Sequence, residues 1–205
     1  MINQDQIARL ARYWRLVEYG TGIRDLSIQF HDVVTRYQEP QRVYHNLDHL
    51  EQVLDHAFGR SVIWSYGKVV LDDAPGLALG LFYHDSIYDP LSKENEKNSS
   101  TLMATHLDGS LSWDMHETLN NATEVIEATI PGHKPWGTLQ KIAQAADLAI
   151  LSSIPKDYDE YVRKIRAEYP EVSDKDFRDG RKEVMMALYP KLDQAAQKNI
   201  YREFA

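Results

Sequence analysis

The sequence contains no cysteine. That excludes a disulfide framework and a thiolate metal site, so any metal must be held by His, Asp and Glu. Positive charge is also short: 23 Lys and Arg stand against 31 Asp and Glu, a formal net charge of −8. This argues against a general electrostatic grip on a nucleic-acid backbone, though not against a small phosphorylated substrate, since a metal supplies local positive charge. No apolar run approaches the roughly 20 residues of a membrane span. The opening residues, Met1 to Gln6, lack the basic and apolar segments of a secretory signal. A cytoplasmic protein is therefore expected, with no membrane partner. Alternating strand patterns, hairpin signals, internal repeats and low-complexity segments are missing as well. What remains is helical periodicity over 205 residues, enough for one domain with a full core.

The helices follow in order. Ile7, Leu10, Ala11, Trp14 and Val17 mark a helix over 3–18, which Gly20-Thr21-Gly22 is expected to break. A second carries Ile23, Leu26, Phe30, Val33 and Val34 and ends before Glu39-Pro40. A third starts near Asn46 and places His45 at its lip and His49 one turn inside, on one face. His56 returns to that face two turns on and reads as surface. The segment 62–70 continues or bends this helix. Asp72-Asp73-Ala74-Pro75 opens the next, with capping Asp residues before a first-turn Pro. It leads into a helix over Leu77–Ile87 that delivers His84-Asp85 and stops at Asp89-Pro90. Further helices begin at Asn95-Glu96, span 113–130 to close on Pro131-Gly132-His133, and run through Leu139, Ile142, Ala146 and Ile150. The last segments are 155–168, 173–189 and 191–204, where Arg163, Arg166, Arg178, Arg181 and Lys182 could meet phosphate. The reading is all-α.

Polar residues placed against this periodicity carry the chemistry. The mainly apolar run from Leu77 to Phe82 ends in His84-Asp85, and a buried His and Asp are costly unless bonded, paired or metal-bound. A His-Asp pair alone means little, since His31-Asp32 has nothing around it to suggest a site. Asp147 adds a carboxylate inside the apolar stretch Ala145–Leu151. Imidazole plus carboxylate donors suit several divalent cations.

In order, His49, His84-Asp85 and Asp147 form H…HD…D, which resembles the HD-domain superfamily of metal-dependent phosphohydrolases. Tyr44-His45-Asn46 followed by His49 is similar to the YHNxxH stretch of cyclic-nucleotide phosphodiesterases. Phe82–Asp89, Asn95-Glu96…Ser99, Ala128-Thr129…His133 and Asp147–Leu151 together resemble the branch of roughly 200-residue predicted HD phosphohydrolases, over nearly the whole chain. The resemblance implies a single HD-domain helical bundle over 1–205, with a metal-binding core at about 40–152 and additional C-terminal helices. It implies His49, His84, Asp85 and Asp147 as metal ligands, Asp85 or Asp147 orienting a water, and His45 protonating the leaving group beside the substrate. Glu96, as a water-orienting acid, and His133, as a phosphate or second-metal contact, are assigned to the pocket wall.

The expected cofactor is a divalent metal ion: Mn, Fe, Ni, Co, Zn or Mg. The expected function is hydrolysis of a small phosphorylated metabolite, with a nucleotide foremost. Two alternatives stay open: a di-iron HD-type oxygenase drawing further ligands from His106, His116 and His133, and a catalytically silent nucleotide-binding regulatory module. A homodimer is compatible with the sequence, with Trp64, Trp113 or Trp136, if exposed, marking either an interface or only local packing.

Overall fold

The structure, a computed structural model, describes residues 3–23, 25–59, 72–107 and 113–205, the last with side chains from residue 115. It is all-α, with no strand among the described residues. The helices are α1 (Gln4–Thr21), α2 (Ser27–Arg36), α3 (Leu47–Ala57), α4 (Ala74–Tyr83), α5 (Asn95–Leu107), α6 (Trp113–Thr129) and α7 (Thr138–Asp147), then α8 (Pro155–Ala167), α9 (Asp174–Leu188) and α10 (Gln194–Phe204). Single 3-10 turns, Leu148–Ser152 and Tyr189–Lys191, follow α7 and α9. No described helix is long and apolar enough to cross a membrane. The segment 62–70 and Trp64 lie outside the described residues, as does the side chain of Trp113; Trp136 is exposed.

Helix α4 is the axis of the fold. Every residue from Gly76 to Tyr83 is buried, as expected of a helix apolar on all sides. It packs on α1, α3, α5, α6 and α7. Its approach to α6 is close: a Cβ on Gly80 would stand 2.5 Å from Val125 Cβ and 2.7 Å from the Ala122 carbonyl oxygen. Trp14 packs edge-on to Phe82, with centroids 4.9 Å apart.

Two hydrophobic clusters result. The larger joins α1–α7 and is built on Leu10, Val33, Leu50, Leu81, Phe82 and Val125. The smaller joins α8–α10 to the turn after α7, through Tyr44, Leu151, Tyr158, Tyr161, Met185 and Ile200. Asn199 Nδ2 ties α10 to that turn, donating to the Leu151 and Ser153 carbonyls at 2.9 Å each.

Three expectations from the sequence need correction. The Gly20-Thr21-Gly22 stretch does end α1, at Gly22 with φ +69°, but the helix runs to Thr21 rather than to residue 18. Gly20 is itself a contact, because a Cβ there would collide with Pro75. Asp73 holds the cap position of α4, but its side chain makes no cap bond and accepts from Asn121 Nδ2 at 3.1 Å. Finally, α4 stops at Tyr83 rather than Ile87. The Asp85 and Ser86 carbonyls turn to the buried Arg42 guanidinium, at 2.6 and 3.1 Å, and the chain leaves the helix there.

The C-terminal cations are largely engaged. Arg163 pairs with Glu160, Arg166 with Asp174 and Arg181 with Glu203.

Candidate metal centre

Three helix ends build the site. Asn46 caps α3, its Oδ1 accepting from Asp48 N at 2.8 Å, which puts His49 in the first turn, 2% exposed. The abrupt end of α4 leaves His84 as its C-cap, 1% exposed, with Asp85 next. Asp147 is the last residue of α7.

Their polar atoms converge. His49 Nε2 lies 3.2 Å from His84 Nε2, 3.4 Å from Asp85 Oδ2 and 3.4 Å from Asp147 Oδ1. His84 Nε2 lies 3.2 Å from Asp85 Oδ2 and 3.9 Å from Asp147 Oδ1. Donor atoms about 2.1 Å from one cation stand roughly 3.0 to 3.4 Å apart at neighbouring positions. The distances among His49, His84 and Asp85 have that spacing, and the 3.9 Å from His84 to Asp147 exceeds it. His49, His84 and Asp85 each offer an atom within 4.8 Å of the others and can hold a metal ion; Asp147 borders this trio through the two imidazoles.

Proton bookkeeping points the same way. His84 Nδ1 faces the Leu81 carbonyl at 2.7 Å. A carbonyl only accepts, so Nδ1 carries the hydrogen and Nε2 is a bare lone pair. That lone pair faces another imidazole nitrogen and two carboxylates, an arrangement that requires a proton or a cation in its midst. Without a cation, the proton goes to His84. Burial opposes its charge most strongly, but Asp85 and Asp147 lift it to about 9. Burial holds His49 below its ordinary value against the pull of the same carboxylates. Burial would likewise raise Asp85, yet the His84 and His49 rings hold it well below the usual carboxylate range.

His45 stands beside this group, its ring centroid 5.4 Å from that of His49. Its Nδ1 donates to Glu168 Oε2 at 2.6 Å. Burial disfavours the charged ring, but Glu168, then Asp85, outweigh it and raise His45 above its ordinary value. Burial alone would raise Glu168, whose carboxyl His45 holds below its ordinary value.

Glu168, Arg42 and Tyr37 are the residues that sequence reasoning missed. Tyr37, fully buried, accepts through its hydroxyl from Asp85 N at 3.2 Å. Arg42 lies between the Tyr37 and Tyr88 rings, 5.2 and 5.5 Å from their centroids, and also donates to the His45 carbonyl.

Glu96, in the first turn of α5, is half-buried. Burial raises its pKa, and Asp85 and Asp147 push the same way, so it borders the cluster electrostatically, with no hydrogen bond or ion pair to it among the described residues. His133 is not brought to the cluster by any hydrogen bond, ion pair or ring contact among the described residues. Its carbonyl accepts from Gln144, and its Nε2 is buried without a partner. His106 is engaged with Tyr83, Nδ1 to hydroxyl 2.8 Å, and with Asp32 at 3.6 Å; His116 is exposed. A cavity of about 430 Å³ adjoins the centre through His49 and Asp147, with Tyr44, Tyr161 and Lys164 in its walls and the exposed His56 among its lining.

No protein-family model, curated protein or solved structure matches this chain.

Proposed function

We propose that this protein is an HD-type, metal-dependent phosphohydrolase of a small phosphorylated metabolite, a nucleotide in the first instance. The convergence of His49, His84 and Asp85, with Asp147 bordering them and His45 beside them, is the observation that supports the reading. A divalent cation bound there would lower the pKa of the water it holds and draw charge from phosphoryl oxygens.

The chain's own residues do the rest. The four ligands lie at helix ends backed by a packed core, so they are held in place before a cation arrives. Asp85 and Asp147, each with one carboxylate oxygen toward the imidazoles, have a second oxygen able to orient a water. His45 donates its Nδ1 hydrogen to Glu168, so a proton on Nε2 is the one available to the oxygen that leaves phosphorus. The adjoining cavity is of a size to take a small metabolite.

The di-iron reading needs further histidines at the centre. His106 and His116 are engaged or exposed elsewhere, and His133 makes no hydrogen bond, ion pair or ring contact with the cluster among the described residues, which leaves that reading without support from their positions. Elemental analysis of the wild type and Asp85→Ala, followed by phosphate release from a nucleotide panel with manganese added, tests the proposal. Metal present in the wild type and lost in the variant, with phosphate released only by the wild type, is the expected result. An active Asp85→Ala protein would sink it. Two irons per chain with oxygen consumption would favour the oxygenase, and tight nucleotide binding without product the regulatory module.

A further inference from the structure

Glu168 sits at the C-terminal end of α8, and its carboxylate is wholly buried. Oε1 accepts from the backbone N–H groups of Tyr44 at 2.7 Å and His45 at 2.9 Å. Oε2 accepts from His45 Nδ1 at 2.6 Å and from the Tyr88 hydroxyl at 3.0 Å. A carboxylate offers about four lone-pair positions, and here all of them are used within the chain.

The division between the two oxygens is informative. Backbone bonds on Oε1 would suffice to tie α8 to the lip of α3. The bonds on Oε2 go only to side chains, and both concern one imidazole: Tyr88 lies against the His45 ring, centroids 4.2 Å apart and planes at 32°, while Tyr44 meets it edge-on at 5.0 Å. A merely solvated His would need none of this. With Nδ1 spoken for, Nε2 is the nitrogen left to act, and the ring is no longer free to turn it away.

We infer that Glu168, with Tyr88, is the positioning residue for His45, holding Nδ1–H so that Nε2 is presented to the oxygen leaving phosphorus. The inference rests on the phosphohydrolase reading for its chemistry: the P–O bond to the leaving group breaks, and the proton from His45 Nε2 passes to that oxygen. Glu168 never touches the reacting atoms.

The test compares Glu168→Gln with the wild type on two substrates. One is 4-nitrophenyl phosphate, whose leaving group needs little protonation; the other is the nucleoside phosphate that the wild type turns over fastest. With metal content retained, kcat on the nucleoside phosphate should fall about tenfold to a hundredfold, against a change of about threefold or less on the nitrophenyl ester, with KM little altered. Glu168→Asp should recover part of the loss. Equal falls on both substrates, or no fall on the nucleoside phosphate, would overturn the inference. If Glu168→Gln does not fold, Tyr88→Phe carries the same test with a smaller split, and an unselective effect overturns it there too. A turnover-independent readout separates this inference from the functional reading: with zinc added, the His45 Nδ1 proton should appear far downfield in the proton NMR spectrum, vanish in His45→Ala and move upfield in Glu168→Gln. If the wild type turns over neither substrate, the phosphohydrolase reading falls and the spectrum still decides: a His45 ring lacking that proton refutes the positioning role.

Discussion

The two hydrophobic clusters meet at the lip of α3, and they contribute differently to the candidate centre. The α1–α7 cluster is mainly aliphatic, and it carries the His49, His84 and Asp85 group that could hold a metal ion, with Asp147 at its border, at the ends of α3, α4 and α7. The α8–α10 cluster is rich in tyrosine and pairs its buried charges, Arg181 and Glu168, with the half-buried Glu203 and His45. Close packing suits the first task, because ligand atoms must be held to within a fraction of an ångström. Directed hydrogen bonds suit the second, because an imidazole is oriented by what its other nitrogen meets. If one side binds and the other orients, the two should be alterable separately.

The sharpest break of that comparison is Asp85→Ala. It should remove the metal and reduce phosphate release to background, while the C-terminal cluster stays folded, as elemental analysis and near-ultraviolet circular dichroism would show. Next is Arg181→Ala. Leaving the half-buried Glu203 with only the Tyr158 hydroxyl as partner should cost about 1 to 3 kcal/mol in a denaturant titration. Metal should nevertheless remain with the α1–α7 ligands; loss of metal at low denaturant would mean that the two clusters are one cooperative unit.

A comparable effect is expected inside the larger cluster. Gly80→Ala forces a methyl against Val125 and the Ala122 carbonyl, and overpacking of this kind costs about 1 to 3 kcal/mol, to be read as a lowered Tm. A variant as stable as the wild type would mean that α4 and α6 can separate freely.

The smallest effect concerns acid. Glu168 has a folded pKa below its ordinary value of 4.5. A depressed carboxyl contributes stability that is fully present above its unfolded value and is lost as pH falls through the folded one. Glu168→Gln should therefore lose part of the decline in Tm seen as pH drops below about 4.5. An unchanged acid limb would show that this carboxylate is not what couples the C-terminal cluster to pH.

Much of the centre was legible in the residues themselves. His84-Asp85 follows an apolar run with little reason to end in polar side chains, and Asp147 interrupts the apolar stretch Ala145–Leu151. Periodicity placed each near a helix end without any knowledge of packing. Glu168 left no such trace, since a Glu between Ala167 and Tyr169 at the end of a helix reads as solvated surface. Arg42 likewise reads as loop charge until the Asp85 and Ser86 carbonyls are seen to turn toward it. The same hidden contact is why α4 stops earlier than its apolar pattern suggests.

The sequence by itself determined the all-α class, most helix positions and the residue types available to a metal, because helical periodicity and the absence of cysteine are local or compositional facts. Only the tertiary structure decided which of the charged groups belong together. It brought residues more than 120 positions apart in the chain to 2.6 Å, as His45 and Glu168 are, and among the described residues it left His133 with no hydrogen bond, ion pair or ring contact to the cluster. Burial is the physical reason. A charge inside a protein must find a partner, and which partner it finds depends on how helices pack, a long-range outcome that no local pattern records.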